Sequence, residues 1–68
     1  MSKYDALWRY ISKSGQDIYM TFDEIKIVLG FPIDHSFLNY KKELEKYGYI
    51  VGKISLKNKT VEFNKLRD

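Results

Sequence analysis

The apolar positions near the start of the chain recur at the spacing of a helix. Four of them fall at i, i+3, i+4 and i+7, which places them on one face: Tyr4, Leu7, Trp8 and Ile11. The pattern predicts a helix from about Lys3 to Lys13. Ser2 can serve as its N-cap, and Ser14-Gly15 can end it.

A different period follows the first helix. In the stretch DIYMTF, residues 17–22, Ile18 and Met20 alternate with less apolar positions. The span is too short for a helix, and alternation is typical of a strand that buries one face. The stretch therefore predicts a short strand.

The next stretch, TFDE at residues 21–24, matches a capping box, in which the Thr hydroxyl and the Glu carboxylate each accept the other residue's backbone N–H. It predicts a second helix over about residues 22–29. Gly30 can take the left-handed conformation that closes this helix, and Pro32 prevents its continuation. The buried stripe of the helix is predicted to be Ile25, Val28 and Leu29.

A third helix is predicted between Asp34, which can cap it, and Gly48, which can end it. Its apolar residues recur at spacings of three, four and three: Phe37, Tyr40, Leu44 and Tyr47. The opposite side is expected to face solvent and carries His35, Asn39, Lys42 and Lys46.

After Gly48 the period is two, in YIVGKISL and TVEFNKL, which predicts a β-hairpin. A two-residue turn at Asn58-Lys59, with Asn58 at positive φ, makes position 57 face 60, 56 face 61, 54 face 63 and 53 face 64. One face of this hairpin is apolar: Ile54, Leu56, Val61 and Phe63. The other is polar: Lys53, Ser55, Lys57, Thr60, Glu62 and Asn64. Such a two-faced hairpin can cover a core.

Composition limits the chain to one core. Of its 68 residues, 44% are apolar and 16% aromatic, which predicts a single domain over residues 1–68. The absence of Cys excludes disulfides and thiolate metal sites and makes a cytoplasmic location the expectation. No apolar run approaches the ~20 residues that cross a bilayer, and the N-terminal residues do not read as a signal peptide, so neither insertion nor export is expected.

The net charge of +3 is unevenly distributed. Residues 1–34 hold four basic and five acidic residues, whereas residues 35–68 hold eight basic and four acidic ones. A basic half can indicate an anionic partner, although a lysine-rich solvated surface explains it equally well.

Helix, short strand, helix, turn, helix and hairpin is the element order of the winged helix-turn-helix fold, and the chain resembles that fold along nearly its whole length. The resemblance implies a compact α+β domain that binds duplex DNA through its third helix and its hairpin, or wing. On the third helix, the implied contacts are His35, Ser36, Asn39, Lys42 and Lys46. On the wing they are Lys53, Lys57 and Lys59. Asn suits adenine, and Lys suits guanine or phosphate.

A narrower resemblance rests on YDALWRYI, TFDEIKIVLGFP and LEKYGYIVGKISLKNKTVEF. These stretches are similar to a family of small uncharacterised bacterial and phage domains with Tyr-x-x-Leu, Thr-Phe-x-Glu-Ile and Ile-x-Leu-Gly-x-Pro patterns. Members of that family often have Trp in the third helix, where this chain has Tyr40. The resemblance supports the fold and implies no activity.

Acidic residues weaken the DNA hypothesis, since Asp34 begins the third helix and Glu43 and Glu45 lie within it. The alternative is a protein-binding module, such as a phage-type inhibitor of a host nuclease or defence enzyme. Its contact residues would be Leu38, which lies off the main apolar stripe, with Tyr40, Tyr47 and Tyr49. Packing into a small core explains each of these residues as well.

The sequence does not predict an enzyme. His35 is the single His, and Asp23 and Glu24 are explained as first-turn helix residues. No metal-ligand cluster, phosphate-binding loop or nucleophile motif occurs, so no metal or cofactor is expected. No element that would make a dimer is evident.

Overall fold

The computed structural model describes residues 2–66, so the ends of the predicted 1–68 domain, at residues 1, 67 and 68, lie outside the described residues. The chain forms a mixed α+β fold with the arrangement of a winged helix, as predicted. Its elements are α1 (Asp5–Ser12), β1 (Ile18–Thr21), α2 (Phe22–Leu29), α3 (Ser36–Tyr40), a 3₁₀ helix (Lys41–Tyr47), β2 (Tyr49–Ser55) and β3 (Thr60–Lys65). No helix within residues 2–66 is long and apolar enough to cross a membrane.

The first helix buries the face that its spacing predicts, but it begins later than predicted. Tyr4, rather than Ser2, is the residue that precedes the helix, and no side chain caps it. The hydroxyl of Ser2 instead accepts a hydrogen bond from the backbone N–H of Tyr4 at 3.3 Å. Ser2 therefore shapes the turn before α1 instead of capping it.

The capping box of α2 is present as predicted. The Thr21 hydroxyl accepts from the backbone N–H of Glu24 at 3.1 Å, and the Glu24 carboxylate accepts from the backbone N–H of Thr21 at 2.8 Å. The helix ends at Gly30, whose φ of 85° lies in the left-handed region that favours glycine. Both boundaries of α2 match the prediction, because they are set by local chemistry.

The third helix is not the single α-helix that the sequence predicts. The α-helical turns stop at Tyr40, and residues 41–47 continue as a 3₁₀ helix up to Gly48, at φ 84°. Tighter winding, with three residues per turn, places Leu44 and Tyr47 on the same side. The predicted stripe is buried in part: Phe37 and Leu44 are buried and Tyr47 is half-buried, whereas Tyr40 is exposed.

β1 joins the hairpin, so the sheet has three antiparallel strands in the order β1-β3-β2. Ile18 pairs with Phe63 and Thr21 with Thr60. Met20, between them, is buried, whereas Tyr19 is exposed on the outer face of the sheet. The sequence predicted β1 as an element but not its position beside β3.

The predicted hairpin register is wrong. Ser55 pairs with Thr60 and Ile54 with Val61, so residues 56–59 form a four-residue turn. The positive φ of 54° falls on Lys59 and not on Asn58, whose backbone N–H donates to the Ser55 hydroxyl at 3.1 Å. A bulge lies between Val51 and Ile54, where Gly52 leaves room for the side chains of Glu62 and Asn64. The shift removes Leu56 from the core face.

One hydrophobic cluster draws on every helix and strand named above. It contains Tyr4, Leu7, Trp8, Ile11, Met20, Ile25, Phe37, Leu44, Tyr49, Val61 and Phe63. Outside the cluster, residues from the start of α3 and from the hairpin line a common depression.

Candidate partner-binding groove

An apolar groove of about 570 Å³ lies between the start of α3 and the hairpin turn. Six apolar residues line it: Phe22, Ile33, Phe37, Leu38, Ile54 and Leu56. Leu38 is 50% exposed and Leu56 is 78% exposed. Two leucines from separate elements therefore present accessible side chains to the same depression in the surface.

The hairpin wall of the groove is held by the turn. The backbone N–H of Phe22 donates to the carbonyl oxygen of Lys59 at 2.8 Å, which fastens the turn to the start of α2. With four residues in the turn, Leu56 follows the last paired residue, Ser55, and projects from the sheet instead of packing beneath it. The observed register, which differs from the predicted one, therefore places Leu56 at the groove.

Asp34, which also lines the groove, fixes the turn that leads into α3. Its Oδ1 accepts hydrogen bonds from the backbone N–H of Ser36 at 2.9 Å, from the Ser36 hydroxyl, and from the Tyr4 hydroxyl at 3.3 Å. Chiefly because Ser36 donates to it, the pKa of Asp34 falls to about 2. The Lys3 ammonium lies 3.6 Å from its other oxygen. Asp34 is therefore an ionised turn-closing group with its charge partly offset.

These bonds also determine what Ser36 can do. Its hydroxyl lies 2.7 Å from the Tyr4 hydroxyl and donates to Asp34, so it is engaged inside the protein. Of the residues predicted to read DNA from the third helix, Ser36 is therefore occupied with internal contacts. The others, His35, Asn39, Lys42 and Lys46, are exposed as predicted, and His35 also lines the groove.

The three lysines predicted on the wing are exposed, but they do not share one location. Lys57 and Lys59 lie in the same turn as Leu56, which lines the groove. Lys53 lies at the bulge, where its backbone N–H is 3.5 Å from Oε1 of Glu62 on the outer face of the sheet. The turn lysines are therefore sequence neighbours of the groove residue Leu56, whereas Lys53 lies at the bulge.

Glu43, which the sequence places among the lysines of the third helix, is engaged in hydrogen bonds with residues of the N-terminal region. Its Oε1 accepts from the Trp8 indole N–H at 3.1 Å and from the Ser2 hydroxyl. These bonds, that of Ser2 first, hold the pKa of Glu43 below its usual value. Glu43 is thus directed towards α1, whereas Glu45 remains exposed.

The tyrosines of the protein-binding hypothesis occupy different settings. Tyr40 is 40% exposed and its ring packs against Tyr4, with 5.7 Å between ring centroids. Tyr47 is half-buried and donates to Asp5, which raises the pKa of its hydroxyl. Tyr49 is 2% exposed, and its hydroxyl donates to the carbonyl oxygen of Gln16 at 3.1 Å. Tyr49 is therefore a core residue and not a surface contact, which corrects the prediction.

Of the four residues proposed for protein binding, Leu38 lines the groove. Sequence reasoning missed its counterpart, Leu56, because the two-residue turn placed that leucine in the core. The sequence does not show how many residues the turn contains, and that number decides whether Leu56 packs in the core or lies at the surface. Within residues 2–66 no group of three or more acidic or His side chains could hold a metal ion.

No protein-family model matches this chain, and neither the curated proteins nor the solved structures contain a match.

Proposed function

We propose that this chain is a protein-binding module, and that the groove between α3 and the hairpin turn receives apolar side chains of a partner protein. The observation that carries the proposal is the pair of exposed leucines, Leu38 and Leu56, on one apolar groove. Single exposed apolar residues are normal on protein surfaces, but contiguous apolar surface is typical of an interaction site.

Burial gives the proposal its energetic basis. Complete burial of a leucine side chain contributes about 1.5–3 kcal/mol. Because Leu38 and Leu56 are 50% and 78% exposed, a partner that covers both would gain roughly 3 kcal/mol from these two side chains alone. Such a gain is characteristic of the few anchor residues that dominate an interface.

The test is a selection from a displayed library of random linear peptides on the immobilised wild-type protein. Each enriched peptide is then measured against Leu38→Asp and against Ile27→Asp. Ile27 is the matched control, because it is 81% exposed and lies on α2 outside the groove. We expect binding to be lost in the Leu38 variant and kept in the Ile27 variant, with unchanged circular dichroism in both. Peptides that bind all three proteins equally would refute the proposal.

DNA binding is the second candidate. It is favoured by lysines that form no ion pair in the part of the chain that the structure describes and by acidic residues that are engaged in internal hydrogen bonds. Within residues 2–66 no ion pair engages Lys42, Lys57 or Lys59, all of which are exposed. Glu43 faces α1 and Asp34 is engaged at the turn, so two of the acidic residues that opposed this reading in the sequence oppose it less in the fold. The apolar groove beside the same helix is the reason why protein binding ranks first.

Duplex DNA titrated at low and at moderate salt tests this second candidate. Binding through phosphates weakens steeply as salt rises, and Lys57→Glu with Lys59→Glu should weaken it further. The absence of a mobility shift at low salt would eliminate DNA binding.

A further inference from the structure

We infer that the segment received by the groove is amphipathic, with apolar anchor side chains flanked by acidic residues. The inference rests on the proposed function and adds the chemistry of the partner. Its basis is the charge that borders an otherwise apolar depression.

The hairpin turn beside the groove carries only basic charges. Residues 56–59 contain two lysines and no acidic residue. Lys57 follows Leu56 directly, and the carbonyl oxygen of Lys59 is bonded to the backbone of Phe22, a groove residue. Two ammonium groups are therefore carried by the same turn that supplies the exposed leucine.

The helix side adds a third lysine. Lys42 is exposed and follows Leu38 by four residues. Two carboxylates oppose these lysines: Asp34, which Lys3 partly offsets at 3.6 Å, and Asp23, exposed beside Phe22. These three exposed lysines outnumber the two carboxylates, and the two lysines of the turn have no acidic neighbour within residues 56–59. The groove lining itself contains one charged residue, Asp34.

The lysines are expected to discriminate among partner segments by the charge of the residues beside the apolar anchor side chains, more than by the anchor side chains themselves. The apolar lining rewards leucine-like side chains, whereas exposed lysines around it attract carboxylates, accelerate encounter and reject basic sequences. Because these charges are exposed, salt should screen their attraction while leaving the apolar contribution in place.

The experiment reads the composition of the library peptides that bind wild type and not Leu38→Asp. We expect apolar residues with an excess of Asp and Glu beside them. A selected peptide should bind Lys57→Glu with Lys59→Glu about tenfold more weakly. It should bind with unchanged affinity to Lys13→Glu with Lys26→Glu, which changes the net charge by the same amount just after α1 and on α2. A version of the peptide with Lys in place of its acidic residues should regain binding to the Lys57 and Lys59 variant.

The failures of the two proposals are distinguishable. Leu38-dependent peptides without acidic excess, or equal binding of the acidic and the lysine versions, would overturn this inference and leave protein binding intact. A library that yields no Leu38-dependent peptide would overturn both. Sedimentation of the wild type alone tests whether a second copy of the chain occupies the groove. Self-association that Leu38→Asp abolishes would make a second copy the partner and would overturn the inference.

Discussion

Asp34 shows how one side chain can organise the approach to a helix. Its carboxylate accepts hydrogen bonds from Ser36 and from the buried Tyr4, so it links the turn before α3 to the start of α1. The negative charge that appeared to oppose DNA binding in the sequence therefore has a structural role. Asp34 stays exposed beside His35 at this turn, and the apolar side chain of Leu38 is exposed on the neighbouring α3.

A dependence of stability on pH follows from Asp34. Its pKa is lowered from 3.8 in the unfolded chain to about 2 in the fold, so the contribution of its charged form is present above pH 3.8 and is lost as the pH falls towards 2. We expect the unfolding free energy of Asp34→Asn to decrease less than that of wild type as the pH falls from 3.8 towards 2, as measured by urea denaturation at a series of pH values.

Ser36→Ala provides the matched comparison for that experiment, because it removes the side-chain donor and keeps the carboxylate. Its unfolding free energy should decrease with falling pH by an amount between those of wild type and Asp34→Asn. If Asp34→Asn and wild type lost stability in parallel between pH 3.8 and 2, the hydrogen bonds to Asp34 would not stabilise its charged form.

At the scale of elements, the sequence was informative where boundaries depend on neighbouring residues. The capping box and Gly30 define α2 by local hydrogen bonds and by a backbone conformation, and both could be recognised from residue types. The hairpin register could not, because it depends on how many residues the turn contains, and a shift of that number changes which side chains enter the core. The groove was consequently predictable on its helix side, at Leu38, and not on its hairpin side, at Leu56.

The two interpretations of the turn make opposite predictions for glycine. Lys59 has a φ of 54°, so Lys59→Gly should relieve left-handed strain and stabilise the protein by about 0.5 kcal/mol. Asn58→Gly, at the residue that the sequence assigned to positive φ, should destabilise it by about 0.4–1 kcal/mol through the entropy of the unfolded chain. Thermal denaturation of both variants measures the difference, and the reverse order would favour the two-residue turn.

For the whole molecule, small size makes each core residue important. A 68-residue domain is expected to have an unfolding free energy of about 3–10 kcal/mol. The single cluster that spans all helices and strands supplies the burial on which this stability depends. Leu38 and Leu56 lie outside that cluster and are exposed, so we expect that they can be changed to test binding at small cost to the fold.

Two leucines of the third helical region test this separation of folding from binding. Leu44 is fully buried, and Leu44→Ala should lower the unfolding free energy by about 2–5 kcal/mol, a large part of the total. Leu38 is 50% exposed, and Leu38→Ala should lower it by less than about 1 kcal/mol, because much of its side chain is already in water. Chemical denaturation followed by the fluorescence of Trp8 measures both changes. Equal losses would show that Leu38 belongs to the core and would remove the helix wall of the proposed binding groove.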